Sequence, residues 1–419
     1  MIPVIFGLSG PVLTPDERAF FASVEPAGYI LFKRNIVDRA QVRSLTDSLR
    51  ELAGRDDLAI LIDQEGGRVA RMGPPEWSAF PAGPVFAKLY ETAPMSAIQA
   101  MRANGQALGL MLREVGITVD CAPLLDVAQE GTTDAIASRA YGAEPMQVAA
   151  LGRAMLEGLA AAGVVGVVKH MPGHGRALVD SHHLLPTVTA SDAELAVDLE
   201  PFRTLANAPM GMTSHIVFEA WDAERPATLS PAVIERIIRG AIGFDGLLMT
   251  DDIDMKALSG TAGEKAAGAL AAGCDLVLDC WARMDEMVDI AGRVPPIGDA
   301  ARDRLNRAMA SVGAGEGDFA ELIARRDALP RLDRNAPKTR HQTGPARAVV
   351  DDHDAAIAPE HARITHLTAR RRDDGGVGHG RQRDAARADT GVGNLAEAAR
   401  DLAPDRQAIG ALRDGRTPD

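Results

Sequence analysis

The sequence predicts an α/β protein built as a single (β/α)8 TIM barrel, followed by a C-terminal tail that is expected to be disordered. Three observations support this prediction. Short β-branched apolar runs recur along residues 1–280, amphipathic stretches separate them, and charged residues follow most of the runs. Alternation of strands and helices indicates a parallel sheet covered by helices, and eight strands over about 280 residues suit a closed barrel.

The apolar runs predict eight strands, and helical periodicity in the intervening segments predicts the helices. A doubly wound open sheet is the alternative, but that fold favours a glycine-rich phosphate loop after an early strand, and the sequence has none. The predicted strands lie near residues 3–8, 28–32, 58–62, 117–121, 164–168, 210–214, 247–250 and 275–278, and the clearest helices near 39–53, 96–115, 146–162, 192–206 and 231–241.

Charged or ionisable residues follow six of the predicted strands at their carboxyl ends. In a (β/α)8 barrel these ends meet at one face, where catalytic groups converge. Any strand must end in something polar, but that explanation accounts for one or two such positions and less well for six. The six positions are Asp63, Asp120, Lys169 with His170, His215, Asp251 with Asp252, and Asp279.

The charge balance excludes some classes of partner. The 419 residues include 58 acidic and 45 basic side chains, a net charge of −13, which argues against binding nucleic acid or an anionic membrane. The beginning of the chain lacks a signal-peptide pattern, and no apolar run approaches the roughly 18 residues of a membrane span. Cys121, Cys274 and Cys280 are interpreted as buried free thiols. We therefore expect a cytoplasmic protein, with a monomer as the favoured state.

The composition divides the chain into a catalytic domain at residues 1–334 and a tail at residues 335–419. The tail contains no Phe, Trp or Tyr, and Ala, Arg, Asp and Gly dominate it. Such a segment cannot bury much apolar area, so disorder is the expectation. Five of the ten histidines lie in the tail among charged residues, whereas the other five all lie between His170 and His215. That second cluster indicates a functional site.

The most specific motif begins at the end of the fifth predicted strand, as KHMPGHG over residues 169–175. Its two glycines allow a sharp turn against a ligand. Lys169 and His170 emerge directly from a buried strand and are expected to point into the barrel mouth. A lysine in that position needs a partner, such as a carboxylate or a sugar hydroxyl.

The same motif continues as Asp180-Ser181-His182. A spacing of two residues in a turning loop allows a carboxylate to orient an imidazole and to raise its basicity. We therefore predict a mechanistic dyad of Asp180 and His182. An incidental surface pair is the alternative, and His183 is the neighbour that could be mistaken for His182.

A second motif delivers two adjacent carboxylates, Asp251 and Asp252, to the end of the seventh predicted strand. Adjacent side chains on a strand face opposite ways, so only one of the two is expected to enter the barrel mouth. Spacing alone does not choose between them, and a helix N-cap is the competing role for either.

A third motif, DQEGGRVAR over residues 63–71, follows the third predicted strand. A carboxylate that leaves a strand before a Gly-Gly turn, here Asp63, is a good acceptor for two vicinal sugar hydroxyls. Arginines such as Arg71 can donate to carbonyl or carboxylate groups. Arg139 is a lone loop arginine and a weaker candidate by itself.

Together, these motifs resemble glycoside hydrolase family 3, and within it the NagZ-type β-N-acetylhexosaminidases. The resemblance covers roughly residues 1–330 and rests on the 169–175 block, on Asp180-Ser181-His182 and on Thr250-Asp251. Met171 departs from the more usual Phe, and the loop of residues 176–179 is more apolar than in many relatives. The resemblance implies catalytic roles for Asp251 as nucleophile and His182 as general acid/base held by Asp180, and binding of the sugar by Asp63, Arg71, Arg139, Lys169 and His170.

The resemblance also implies a substrate, a terminal β-linked N-acetylglucosamine, chiefly on 1,6-anhydro-N-acetylmuramoyl peptides from the cell wall. This small carbohydrate or muropeptide is the expected partner, and the chemistry requires no cofactor and no metal. Two alternatives compete with the glycoside hydrolase. A metal-dependent barrel hydrolase is motivated by the histidine cluster, although the spacing of the histidines is not a familiar ligand pattern. A non-catalytic sugar-binding barrel is the other alternative.

Overall fold

Eight parallel strands close into a barrel in the computed structural model, which describes residues 1–181 and 183–328. The predicted fold class is therefore confirmed for the barrel. His182 and the tail of residues 335–419 lie outside the described residues. The barrel strands are β1 (Ile2–Gly7), β2 (Pro26–Leu31), β3 (Ala59–Ile62), β4 (Val119–Asp120), β5 (Val165–Met171), β6 (Met210–Thr213), β7 (Leu247–Asp252) and β8 (Leu276–Asp279).

The barrel follows sequence order around the ring, and each strand is hydrogen-bonded to its neighbours in the chain. β8 returns to β1 with Val4 opposite Val277, which closes the sheet. Two small sheets lie outside the ring. Gln64–Gly66 pairs with Val69–Ala70, and Thr187–Val188 pairs with Val217–Phe218.

Helices alternate with the strands, as the sequence predicts. Several begin at capping boxes, in which a Ser or Thr side chain and a glutamate three residues later satisfy free main-chain N–H groups. Thr14, Ser191 and Thr261 are such caps. The helices are α1 (Pro15–Val24), α2 (Arg39–Ala53), α3 (Gly83–Thr92), α4 (Pro94–Glu114), α5 (Asp134–Ala137), α6 (Pro145–Ala161), α7 (Asp192–Thr204), α8 (Val233–Ala241, with π-type hydrogen bonds), α9 (Ala262–Ala272), α10 (Met284–Arg293), α11 (Asp299–Met309) and α12 (Phe319–Ala328).

Alternate residues of the barrel strands belong to two separate apolar clusters, because successive side chains on a strand face opposite sides of the sheet. The cluster that fills the barrel interior includes Leu61, Val167 and Met249. The cluster between the barrel and its helices includes their neighbours Ile60 and Leu248. Residues of the first cluster form the inner row of their strand, whose side chains face the barrel interior. Residues of the second cluster form the outer row, whose side chains face the helices.

The amino-terminal end of the barrel is covered by apolar side chains of α11 and of the segment before it. Ile297, Leu305 and Met309 pack with the interior cluster. Polar groups that enter the interior from the strands are therefore confined to the opposite, carboxyl end.

Three strands differ in length from the prediction by two residues or more. β4 spans only two residues, whereas β5 and β7 extend through Met171 and Asp252 beyond their predicted ends. Both carboxylates of the second motif thus lie within a strand, so the N-cap role considered for them is wrong.

Two further findings concern the described residues. Cys121, Cys274 and Cys280 are buried free thiols, as predicted. Among residues 1–181 and 183–328, no helix combines the length and the apolar character that crossing a membrane requires.

Candidate active site

Lys169 lies at the centre of a charged network in the barrel mouth. It continues the inner row of Val165 and Val167 on β5, and its side chain is 2% exposed. The ammonium nitrogen lies 3.0 Å from Asp63 Oδ1 and 2.7 Å from Glu65 Oε1. The buried lysine therefore has the carboxylate partners that its position requires.

Two arginines complete the network around these carboxylates. Arg71 Nη2 lies 3.3 Å from Asp63 Oδ2. Arg139 donates to both oxygens of Glu65, at 2.6 and 2.8 Å, in the bidentate geometry that suits a guanidinium. The structure thus brings together four of the residues predicted to bind sugar, namely Asp63, Arg71, Arg139 and Lys169.

Opposite charges keep this network ionised. Burial alone would raise the pKa of the Asp63 carboxyl group, but the charges of Lys169 and Arg71 hold it below its usual range. Burial would likewise raise the pKa of Glu65, but Arg139 and Lys169 lower it to about 2. The two carboxylates in turn raise the pKa of Lys169 against its desolvation. The mouth therefore presents fixed charges at neutral pH.

The prediction from sequence missed Glu65, although a signal was available. Glu65 is two residues after Asp63 in an extended segment, which places both side chains on the same side. The fourth predicted strand leads toward Asp126, but the sequence assigned this residue no role, because it lies in the irregular segment after β4, where periodicity gives no guidance.

His170 lies beside the network and is held by Asp126. The ring Nδ1 is 2.7 Å from Asp126 Oδ2, and the main-chain N–H of His170 donates to Oδ1 at 3.2 Å. The same Oδ1 accepts the main-chain N–H of His174 at 2.7 Å. One fully buried carboxylate therefore makes three hydrogen bonds with the end of β5 and the segment that follows it.

Asp251 and Asp252 separate as expected for neighbours on a strand. Asp252 faces the outer side, where Oδ1 accepts the main-chain N–H of Cys280 at 3.2 Å and Oδ2 accepts Trp281 Nε1–H at 3.1 Å. Asp251 continues the inner row of Leu247 and Met249 and is partly exposed. Asp251 is therefore the carboxylate that enters the mouth.

The charge of Asp251 reaches two histidines of the same mouth. Burial lowers the pKa of His215, and Asp251 partly opposes that shift. Burial lowers the pKa of His174 to about 4, again with Asp251 acting in the opposite direction. These two imidazoles are neutral at neutral pH, so they serve here as hydrogen-bonding groups.

Carboxylates of the outer rows behave differently from those of the mouth. Asp120 and Asp279 are fully buried, and desolvation raises the pKa of each well above its usual range. These two carboxyl groups of the outer rows thus differ from Asp63 and Glu65, whose pKa the neighbouring cations lower.

The loop after β5 carries the predicted dyad of Asp180 and His182. Asp180 is partly exposed, and its main-chain oxygen accepts the N–H groups of His183 and Leu184 at 3.0 and 3.1 Å. His183 is exposed, whereas Ser181 is buried. His182, the predicted acid/base, lies outside the described residues.

The described residues hold no cluster of three or more His, Cys, Asp or Glu side chains arranged as ligands for a metal ion. An eight-stranded parallel barrel with ionised carboxylates, a lysine and arginines at its carboxyl end has the arrangement of a barrel enzyme, whose active site lies at that end.

Comparisons with known proteins agree with that class. The profile described as "Glycosyl hydrolase family 3 N terminal domain" matches residues 13–312, and the chain belongs to this family. A β-hexosaminidase of Bordetella avium is 35% identical over 331 residues, covering 77% of this chain and 92% of the relative. A β-hexosaminidase of Chromobacterium violaceum is 36% identical over 330 residues, covering 78% and 91%.

Solved structures show the same similarity. NagZ from Neisseria gonorrhoeae, in complex with N-trifluoroacetyl-D-glucosamine, superimposes with a TM-score of 0.71 at 31% identity, covering 78% of this chain and 97% of the other. A family 3 β-N-acetylglucosaminidase from Paenibacillus sp. gives a TM-score of 0.65 at 31% identity, covering 84% and 65%.

Proposed function

We propose that this protein is a retaining β-N-acetylhexosaminidase that removes terminal β-linked N-acetylglucosamine. The observation that carries the proposal is Asp251, an inner-row carboxylate at the end of β7, in the same barrel mouth as the network around Lys169. Membership of glycosyl hydrolase family 3 supports it, as do relatives named β-hexosaminidase and a structural neighbour that holds an N-acylated glucosamine.

The reaction follows from two groups that act on opposite sides of the glycosidic bond. Asp251 attacks the anomeric carbon while the bond to the leaving oxygen breaks and that oxygen takes a proton from His182. The product is a glycosyl ester of Asp251. Water then attacks the same carbon, gives its proton to His182 and displaces the carboxylate, so two inversions leave the configuration unchanged. Asp180 orients His182 and stabilises its charged form.

The network in the mouth binds the sugar ring. Asp63 accepts hydrogen bonds from ring hydroxyls, Lys169, Arg71 and Arg139 donate to hydroxyl or acetamido oxygens, and His170 contacts the sugar through Nε2. Because Asp63 and Lys169 are already ionised and held in place by their partners, binding the sugar requires little reorganisation.

Hydrolysis of 4-nitrophenyl N-acetyl-β-D-glucosaminide, followed by NMR, tests the proposal. We expect the β-anomer of N-acetylglucosamine to form first, with no hydrolysis of the matched α-glycoside. Initial release of the α-anomer would contradict retention, and failure to hydrolyse the β-glycoside at all would contradict the glycosidase and favour a non-catalytic barrel.

The assignment of His182 has its own test. The variant His182→Ala should lose far more activity on an alkyl glycoside, whose leaving group needs a proton, than on the activated nitrophenyl glycoside. His183→Ala is the matched control and should change neither rate. Equal losses of His182→Ala on both substrates would show that His182 is not the acid.

As natural substrate we propose the N-acetylglucosaminyl-1,6-anhydro-N-acetylmuramoyl peptides of peptidoglycan recycling, acted on by a monomer in the cytoplasm. The three buried free thiols suit a reducing compartment. We expect a higher kcat/KM for this muropeptide than for N,N′-diacetylchitobiose. A preference for the chitobiose would contradict this choice of substrate without affecting the glycosidase itself.

A further inference from the structure

Asp126 is a carboxylate of the mouth to which the proposed reaction assigns no role. It is 0% exposed, it lies in the irregular segment between β4 and α5, and its three hydrogen bonds all go to residues 170–174. Burying a carboxylate is costly unless it is used as a strong acceptor. The position of Asp126 therefore calls for an explanation beyond the packing of a loop.

We propose that Asp126 is a positioning residue that sets both halves of the active site, the sugar-facing ring of His170 and the start of the loop that carries Asp180 and His182. This inference rests on the proposed function. Asp126 touches neither sugar nor leaving group, and it acts through the two segments that it holds together.

The first half of this role concerns the imidazole of His170. Burial alone would raise the pKa of Asp126, but its interactions with His170 lower it, so Asp126 stays a carboxylate that can only accept hydrogen bonds. The nitrogen Nδ1 of His170, 2.7 Å away, must therefore carry the proton. This leaves Nε2 as the ring nitrogen available to the sugar and fixes the direction in which it points.

The second half concerns the loop after β5. Asp126 Oδ1 accepts the main-chain N–H of His174 at 2.7 Å, and His174 Nε2 lies 3.1 Å from the hydroxyl oxygen of Ser181. His174 and Ser181 are each 3% exposed. Ser181 is the residue between Asp180 and His182 in the chain, so this contact reaches the proposed dyad.

Close main-chain packing makes the connection stiff. A Cβ atom on Gly175 would lie 1.8 Å from the main-chain oxygen of Val127, so the two segments approach to a distance that only glycine permits. The hydroxyl group of Thr132 also donates to the main-chain oxygen of Gly175 at 2.6 Å. A change at Asp126 is therefore transmitted to the loop after β5.

Two variants separate the two halves, and a third serves as control. Asp126→Asn retains the size of the side chain but replaces one carboxylate oxygen by an NH2 group. This group either faces Nδ1 of His170, whose proton must then move to Nε2, or faces the main chain, where the N–H groups of His170 and His174 lose their acceptor. Ser181→Ala removes only the contact with His174. Asp275→Asn alters a buried carboxylate at the other end of the barrel, where it is bonded to Arg239 and Arg304.

The measurement is kcat and KM on a nitrophenyl and an alkyl N-acetyl-β-glucosaminide. We expect Asp126→Asn to raise KM and lower kcat/KM by about 10- to 100-fold on both substrates, the loss from one charged hydrogen bond, with a further loss of about tenfold on the alkyl glycoside. Ser181→Ala should show only that alkyl-specific loss. Asp275→Asn should leave both kinetic constants unchanged below its melting temperature.

The outcomes distinguish this inference from the proposed function. A wild-type protein that hydrolyses neither substrate contradicts the proposed function itself. An active wild type with an Asp126→Asn variant that is less stable but kinetically normal, like Asp275→Asn, overturns the positioning role alone. Should Asp126→Asn fail to fold, Ser181→Ala decides, because equal changes on both substrates would overturn the connection to the acid/base loop.

Discussion

The two ends of the barrel both carry buried carboxylates paired with arginine, yet they use them differently. At the base, Asp275 accepts hydrogen bonds from Arg239, from Arg304 and from the main-chain N–H of Leu248. These donors tie β8 to β7, α8 and α11. The carboxylate serves as a joint between elements of the scaffold.

At the mouth, Asp63 and Glu65 share Lys169, and each has a further arginine partner. Lys169 and Asp63 lie on the inner side of the barrel, above the apolar interior, where a ligand can enter. Pairing with arginine therefore does not define function, because the row and the end of the strand decide whether a charge faces the scaffold or a substrate.

The largest effect is expected at β7, where the neighbours Asp251 and Asp252 lie in the inner and outer rows of one strand. Asp251→Asn should lower kcat on the nitrophenyl glycoside by about 10⁴-fold or more while the protein stays folded, because the nucleophile is lost. Activity and circular dichroism of the purified variant provide the check.

Asp252→Asn is its matched control. It should weaken hydrogen bonds to Cys280 and Trp281 and reduce the free energy of unfolding by about 1–3 kcal/mol, with activity retained. The reverse pattern, an inactive Asp252→Asn and an active Asp251→Asn, would mean that the outer row supplies the nucleophile.

A smaller effect on activity is expected from the carboxylate network. Asp63→Asn should reduce kcat/KM by about 100-fold, mainly through KM, because one or two charged hydrogen bonds to ring hydroxyls are weakened. Steady-state kinetics measure this change. A normal KM would show that Asp63 only connects elements of the scaffold, as Asp275 does.

At the base, no effect on catalysis is expected. Asp275→Asn should reduce the free energy of unfolding by about 3 kcal/mol, because Arg239 and Arg304 lose their charged partner. Denaturant titration measures the loss, and the kinetic constants of the folded variant are the control. A large fall in kcat would show that a carboxylate at the base also supports catalysis, and the two ends of the barrel would then not differ in this respect.

The last prediction concerns the pH dependence of stability rather than activity. The folded protein keeps His174 neutral down to a pKa of about 4, whereas unfolded His174 takes up a proton near pH 6.5. This group therefore stabilises the fold above pH 6.5, and its contribution is lost as the pH falls from about 6.5 to about 4.

Denaturant titrations across that range should show a shallower slope for His174→Gln than for the wild type, by up to about 1.4 kcal/mol per pH unit. Identical slopes would show that His174 takes up its proton at the same pH in the folded and unfolded states.

Much of the fold was accessible from sequence, because strands buried on both faces read as apolar runs and the helices between them carry a 3.6-residue period. That same double burial explains what was not accessible. Both rows of β7 are apolar up to Met249, so no pattern could decide between Asp251 and Asp252. Glu65 could have been found from its spacing to Asp63, but the contacts of Asp126 could not, because they are made with residues more than forty positions further along the chain.

The central claim is that Asp251 becomes covalently bonded to the sugar. The direct test is to trap the protein with a 2-acetamido-5-fluoro glycosyl donor, digest it and identify the labelled peptide by mass spectrometry. We expect a single glycosyl adduct on Asp251, absent from Asp251→Asn and present in Asp252→Asn. A label on any other carboxylate, or turnover of the donor without an adduct, would contradict it.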